Sequence, residues 1–131
     1  MSLTFFCPQC FAKVDESIEI CPYCQTNIKN YLHDVPYLTR LIHALGHPES
    51  EARMSSVIAL GGLAAPEAIN PLIDLLNTWP SDVVQGEQAL KALVQIGTKQ
   101  AWQAIGQIAK NHSSAVIRNL AERTLQLKPP T

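Results

Sequence analysis

The chain has 131 residues and a formal net charge of −1, and all four of its cysteines fall before residue 25. That length suits one ordinary domain, or a small domain with a mini-domain attached. The near-neutral balance argues against broad phosphate binding, which needs clustered Lys and Arg, so nucleic acid is not an expected partner. No apolar run reaches membrane-spanning length, and no charged-then-apolar leader opens the sequence, so a cytoplasmic location and no membrane contact are expected.

Residues 1–30 hold Cys7-Pro8-Gln9-Cys10 and Cys21-Pro22-Tyr23-Cys24, two C-x-x-C pairs with ten residues between them. Each pair offers two thiolates from one tight turn, and four thiolates complete the tetrahedron that zinc prefers. A segment this short buries too little surface to fold without a staple. One structural Zn2+ on Cys7, Cys10, Cys21 and Cys24 is therefore expected, with no open position for catalysis. The segment resembles a short zinc ribbon. Such ribbons usually carry Gly after the second cysteine of each knuckle, where this chain has Phe11 and Gln25. Redox chemistry is the alternative, because Cys21-Pro22-Tyr23-Cys24 has the letters of a glutaredoxin active site. That chemistry needs a helix N-terminus in a βαβ setting, which the flanking sequence does not supply. A disulfide-only mini-domain would suit a secreted chain. Lys13–Val14 and Ile18–Ile20 are expected as very short strands around Asp15–Ser17. Gln25–Asp34 reads as a brief polar connection.

From Asp34, a candidate N-cap, the pattern turns helical, and Pro36 suits a first turn. Tyr37, Leu38, Leu41, Ile42 and Leu45 form a stripe that ends at Gly46-His47-Pro48. The next stripe is Met54, Val57, Leu60 and Ala64, which Gly61, Gly62 and then Pro66 are expected to stop. Ala68, Ile69, Leu72, Ile73, Leu75 and Leu76 follow, and then the turn Asn77–Asp82 with Trp79-Pro80. With Arg53, Gly86 and Arg118 in register, small residues recur at Ser56, Ala89 and Ala121, and leucines at Leu60, Leu93 and Leu125. The period is 32–33 residues. The first helices align as well: Leu38, Leu41, Leu45; Ile69, Leu72, Leu76; Trp102, Ile105, Ala109. Residues 34–131 thus read as three helical hairpins, about 35–65, 67–97 and 99–128, stacked as a solenoid. The expected fold is mainly α, a three-hairpin α-α superhelix behind a small zinc-ribbon mini-domain that covers its N-terminal end. The third hairpin departs from the pattern. Glu122 sits where Val57 and Leu90 stand earlier, and Leu120 and Leu127 fall on an expected solvent face. Those two leucines are candidates for self-association through the C-terminal helix. Lys128–Thr131, with Pro129-Pro130, cannot extend that helix.

The helical part resembles the short HEAT-like repeats of the phycobilin-lyase type. The matching residues are Ser50-Glu51-Ala52-Arg53, Ile58-Ala59-Leu60-Gly61 and Pro66-Glu67-Ala68-Ile69-Asn70-Pro71-Leu72, with Ser114-Ala115-Val116-Ile117-Arg118 in the same pattern. The resemblance implies a scaffold that binds proteins, with enzymes a minority. HEAT-repeat hydroxylases hold iron through His-Glu dipeptides, and this chain has none. No Gly-rich phosphate loop, nucleophile elbow or convergent carboxylate pair appears either.

His47 and His112 occupy equivalent turns, each six residues before an arginine, and read as polar turn residues. Arg53 and Arg118 read as structural, bonding carbonyls or an acid across their hairpins. Trp102 belongs to a core stripe, whereas Trp79, in a turn, is a candidate exposed contact. In a stacked solenoid the second helices line one continuous inner surface. Five residues beyond the register positions, about 140° around the helix, come Ile58, Lys91 and Arg123. Nine beyond, at about 180°, come Gly62, Gln95 and Leu127. The candidate partner-binding set is therefore Ile58, Lys91, Gln95, Arg123 and Trp79. The expected function is a non-enzymatic adaptor for another protein. The alternatives are an accessory subunit of a lyase-type enzyme complex and a nucleic-acid-binding ribbon protein.

Overall fold

The computed structural model describes residues 5–129, so Pro130 and Thr131 of the proline-rich tail lie outside it. Two strands, β1 (Phe5–Phe6) and β2 (Lys13–Val14), precede seven helices: α1 (Ile28–Asp34), α2 (Tyr37–Ala44), α3 (Ser50–Leu63), α4 (Ile69–Thr78), α5 (Val83–Ile96), α6 (Lys99–Asn111) and α7 (Ala115–Leu125). The pairs α2–α3, α4–α5 and α6–α7 are the three hairpins, and the fold is the mainly helical repeat stack that the period implies. The second helices form one layer in which α3 packs on α5 and α5 on α7. In the first-helix layer α4 packs on α6.

Between the layers runs one continuous core containing Val57, Leu60, Leu72, Leu90, Leu93, Ile105 and Ile117. Trp102 is buried in it, as its stripe implies. Close approach of the second helices depends on two glycines. A Cβ on Gly61 would press on the Gln95 side chain and lie 3.0 Å from Ala92 Cα. One on Gly86 would collide with Ile117. Gly86 thus stands where the other repeats have arginine because α7 pushes Ile117 into that space.

The local structure departs from the sequence expectation in five places. Lys13–Val14 does not pair with Ile18–Ile20; it pairs antiparallel with Phe5–Phe6, with Phe5 opposite Val14. The cause is the knuckle between them, which turns the chain back on itself and bonds Cys7 N–H to Ala12 O at 2.9 Å. Ile20 bridges Asn27 in the same way around the second knuckle. The stretch expected as a plain connection contains α1, because the Asn27 side chain accepts from Asn30 N–H and starts a helix. Asp34 consequently ends α1 and caps nothing, and α2 begins after Pro36 with no side-chain cap. Finally, α3 runs through Gly61 and Gly62 to Leu63 and is stopped by Ala64, held left-handed at φ 51°. Packing against α5 outweighs the weak helix preference of glycine here.

Candidate metal centre and inner groove

The two knuckles are built alike. Phe11 N–H bonds Cys7 O at 2.8 Å and Gln25 N–H bonds Cys21 O at 2.9 Å. To make these bonds Phe11 and Gln25 adopt φ of 66° and 67°. The missing glycines have therefore not altered the knuckle turn; two L-residues occupy the left-handed conformation instead. The four sulfurs lie within 4.8 Å of one another. Cys7–Cys24 and Cys10–Cys21 are each separated by 3.7 Å. Thiolates about 2.3 Å from a tetrahedral zinc sit about 3.8 Å apart, and disulfide-bonded sulfurs about 2.05 Å apart. The spacing fits a four-thiolate metal site and contains no disulfide.

Their protonation differs. The Thr26 hydroxyl and backbone amide draw Cys24 down to about 6. Cys10 receives a favourable backbone N–H at Ala12. Desolvation and the three neighbouring sulfurs nonetheless push it up to about 12. Burial raises Cys7 above its ordinary value. Gathering four thiolates without a cation is electrostatically unfavourable, and a bound cation removes that repulsion.

The ribbon is docked onto the first hairpin. His43 Nε2 donates to Gln9 O at 2.6 Å, and the Phe11 ring stacks on His43 with 4.8 Å between centroids. Phe6 and Phe11 both pack on His47, at 4.7 and 4.6 Å. His47 is buried, and this burial, with the nearby Arg53 charge opposed by Glu49, lowers its pKa. Its Nδ1 accepts Glu49 N–H at 3.0 Å. His112, also buried, repeats the bond with Ser114 N–H at 2.9 Å. His112 Nε2 donates back to Leu76 O on α4 at 2.8 Å. The third hairpin thus covers its histidine with the preceding repeat, and the first covers His47 with the ribbon.

Arg53 is buried and structural. It donates to Gln85 Oε1 at 2.7 Å and to the carbonyls of His47 and Pro48 at 2.9 and 3.0 Å. The Trp79 ring lies 3.7 Å from its guanidinium carbon, and Asp82 sits 4.0 Å away. Trp79 is half-buried by this stacking and does not stand free in its turn. Arg118 bonds His112 O, the equivalent carbonyl of the last repeat.

The second helices enclose a groove of about 670 Å³. Of the six residues placed on the inner face, all but Gly62 line it: Ile58, Lys91, Gln95, Arg123 and Leu127. Leu90, Val94 and Leu120 make the floor apolar, and Leu120 is half-buried against the core. Glu87 also lines the groove and holds Lys91 at 3.7 Å. The basic end expected at Lys91 and Arg123 is therefore partly neutralised. The sequence contained this signal, since Glu87 lies four residues before Lys91, at ion-pairing distance on a helix.

No described helix is long and apolar enough to cross a membrane. No curated protein and no solved structure matches the chain. The family model for HEAT repeats does match, over residues 38–126, which run from α2 to the end of α7. The chain belongs to the HEAT-repeat proteins.

Proposed function

We propose that this protein is a non-enzymatic adaptor that binds another protein in the groove of α3, α5 and α7 and carries one structural zinc ion in its N-terminal ribbon. The observation that carries the docking site is the groove itself. Its floor is apolar, its rim polar, and it lies on the face where repeat stacking creates a continuous surface. HEAT repeats commonly serve protein–protein contact, and the phycobilin-lyase resemblance points the same way. Lys91 and Arg123 against Glu87 supply too little positive charge for nucleic acid. Four thiolates at tetrahedral spacing fit zinc by ligand softness and number. Reduced thiols suit the cytoplasm. When bound, zinc would cross-link the two knuckles and supply folding energy rather than chemistry.

The test combines metal analysis of freshly purified reduced protein with capture of partners from the native cell. One zinc per chain is expected, and its absence would remove the metal assignment. Replacing Ile58, Lys91 and Arg123 together with Glu should abolish specific capture while leaving the helical spectrum intact. Undiminished capture would move the docking site elsewhere on the surface.

A further inference from the structure

We infer that the occupant of the α3–α5–α7 groove is an amphipathic helix from another protein, three to four turns long, with an acidic residue set against Arg123. This rests on the adaptor function above and specifies the shape and charge of the bound segment.

Backbone chemistry selects the shape. The groove walls are helices that close their own N–H···O=C bonds and present no strand edge to an incoming chain. An extended segment would carry its N–H and C=O groups over Ile58, Leu90, Val94 and Leu127, where the Gln88 and Gln95 amides could pair only a few of them. The Thr124 hydroxyl at the rim is already committed to Leu120 O at 2.7 Å. Polar backbone groups left unpaired away from water are unfavourable. A helix satisfies its own backbone and offers only side chains, so it enters such a groove without that loss.

Spacing sets the length. Packed helices lie about 8–10 Å apart, so three in a row span about 16–20 Å, which about 11–13 helical residues cross. Apolar side chains at i, i+3 or i+4, and i+7 on such a helix would meet the apolar floor in sequence.

Charge sets the direction. Lys91 is held by Glu87 on the same helix face. Arg123 lines the groove with no ion pair among the described residues. At the α3 end the groove offers Ile58, exposed and apolar. A bound helix therefore gains from a carboxylate at its α7 end and an apolar anchor at its α3 end.

The experiment is a selection of random peptides, each about 16 residues to allow a helix of this length, against the full metal-loaded chain. Selection is repeated on Arg123→Glu and Ile58→Glu variants whose helical spectra match the parent. Enriched peptides should place apolar residues at helical spacing, contain Asp or Glu, and gain helicity on binding. Their affinity should fall about tenfold or more with Arg123→Glu. The Arg123→Glu selection should in turn favour Lys or Arg. Peptides of alternating or proline-rich pattern that still lose binding with Ile58→Glu would overturn the helix while keeping the groove. Peptides indifferent to both substitutions, or no enrichment, would overturn groove and helix together. A dimer in solution that Ile58→Glu dissociates would make a second copy of this chain the occupant and also overturn the inference.

Discussion

At the scale of single residues, the four-cysteine site combines strain with unequal proton affinity. Cys24, drawn to about 6 by Thr26, is a thiolate at pH 7, whereas Cys10 at about 12 and the raised Cys7 are protonated. A metal must displace those two protons, so binding at pH 7 should release about two or more protons per ion. Affinity should accordingly rise with pH above neutrality and fall in acid. Calorimetry in buffers of different ionisation enthalpy measures the number, and release of fewer than one proton would contradict these thiol assignments. The two left-handed residues make a second prediction. An L-residue at this φ costs about 1–2 kcal/mol, and glycine returns about 0.5–1 of that as chain entropy. Gln25→Gly should therefore stabilise the loaded ribbon by up to about 1 kcal/mol, roughly fivefold in a chelator competition. Phe11→Gly relieves the same strain but removes two ring contacts, on His43 and His47, each worth about 0.5–1.5 kcal/mol beyond area burial. It should weaken the protein. Equal effects of the two changes would mean that the Phe11 stacking contributes nothing.

At the scale of elements, α2 is the weakly held helix of the three hairpins, because it alone among them has no fully buried residue. It rests on α3 and on the ribbon through His43 and the adjoining His47. Metal loss should therefore act unequally on the helices. A strong chelator should loosen α2 and the turn at His47, while α4 to α7, whose core is Leu, Ile and Ala, stay protected. Hydrogen exchange reads this directly, and uniform protection across all helices after metal removal would rule it out. Arg53 ties the first hairpin to the second. Arg53→Ala removes three charge-assisted bonds and the Trp79 stack, and should cost about 3 kcal/mol or more in urea unfolding. Arg118→Ala, which loses one carbonyl contact on a half-buried side chain, should cost about half as much or less. The equivalence of these two arginines and of the two histidines was legible in the sequence, because repeat spacing alone puts them in the same turn. Their burial was not, since it depends on what covers each turn: α4 for His112 and the ribbon for His47. The inner face was legible for the same reason of period. The helix α1 was missed because its seven residues lie between the patterned segments and none is buried.

At the scale of the molecule, the repeat stack has two unlike ends. The ribbon covers the first hairpin with Phe6 and Phe11, whereas α7 ends the second-helix layer. Glu122, where the earlier repeats bury Val57 and Leu90, is exposed. Leu120 and Leu127, grouped in the sequence as one apolar patch, separate in the structure. Leu120 is half-buried and packs against the core, while Leu127 is 68% exposed at the groove mouth. Their substitution by Gln should therefore differ in kind. Leu120→Gln places an amide where apolar contacts were and should cost about 1–2 kcal/mol in thermal or urea unfolding. Leu127→Gln should change stability by less than about 0.5 kcal/mol. If Leu127 drives self-association, only its substitution should lower the mass in solution at unchanged stability. A mass unaffected by Leu127→Gln would leave it as part of the groove rim alone. A large loss of stability from Leu127→Gln in a monomeric protein would instead mean that the chain after α7 folds back to bury it.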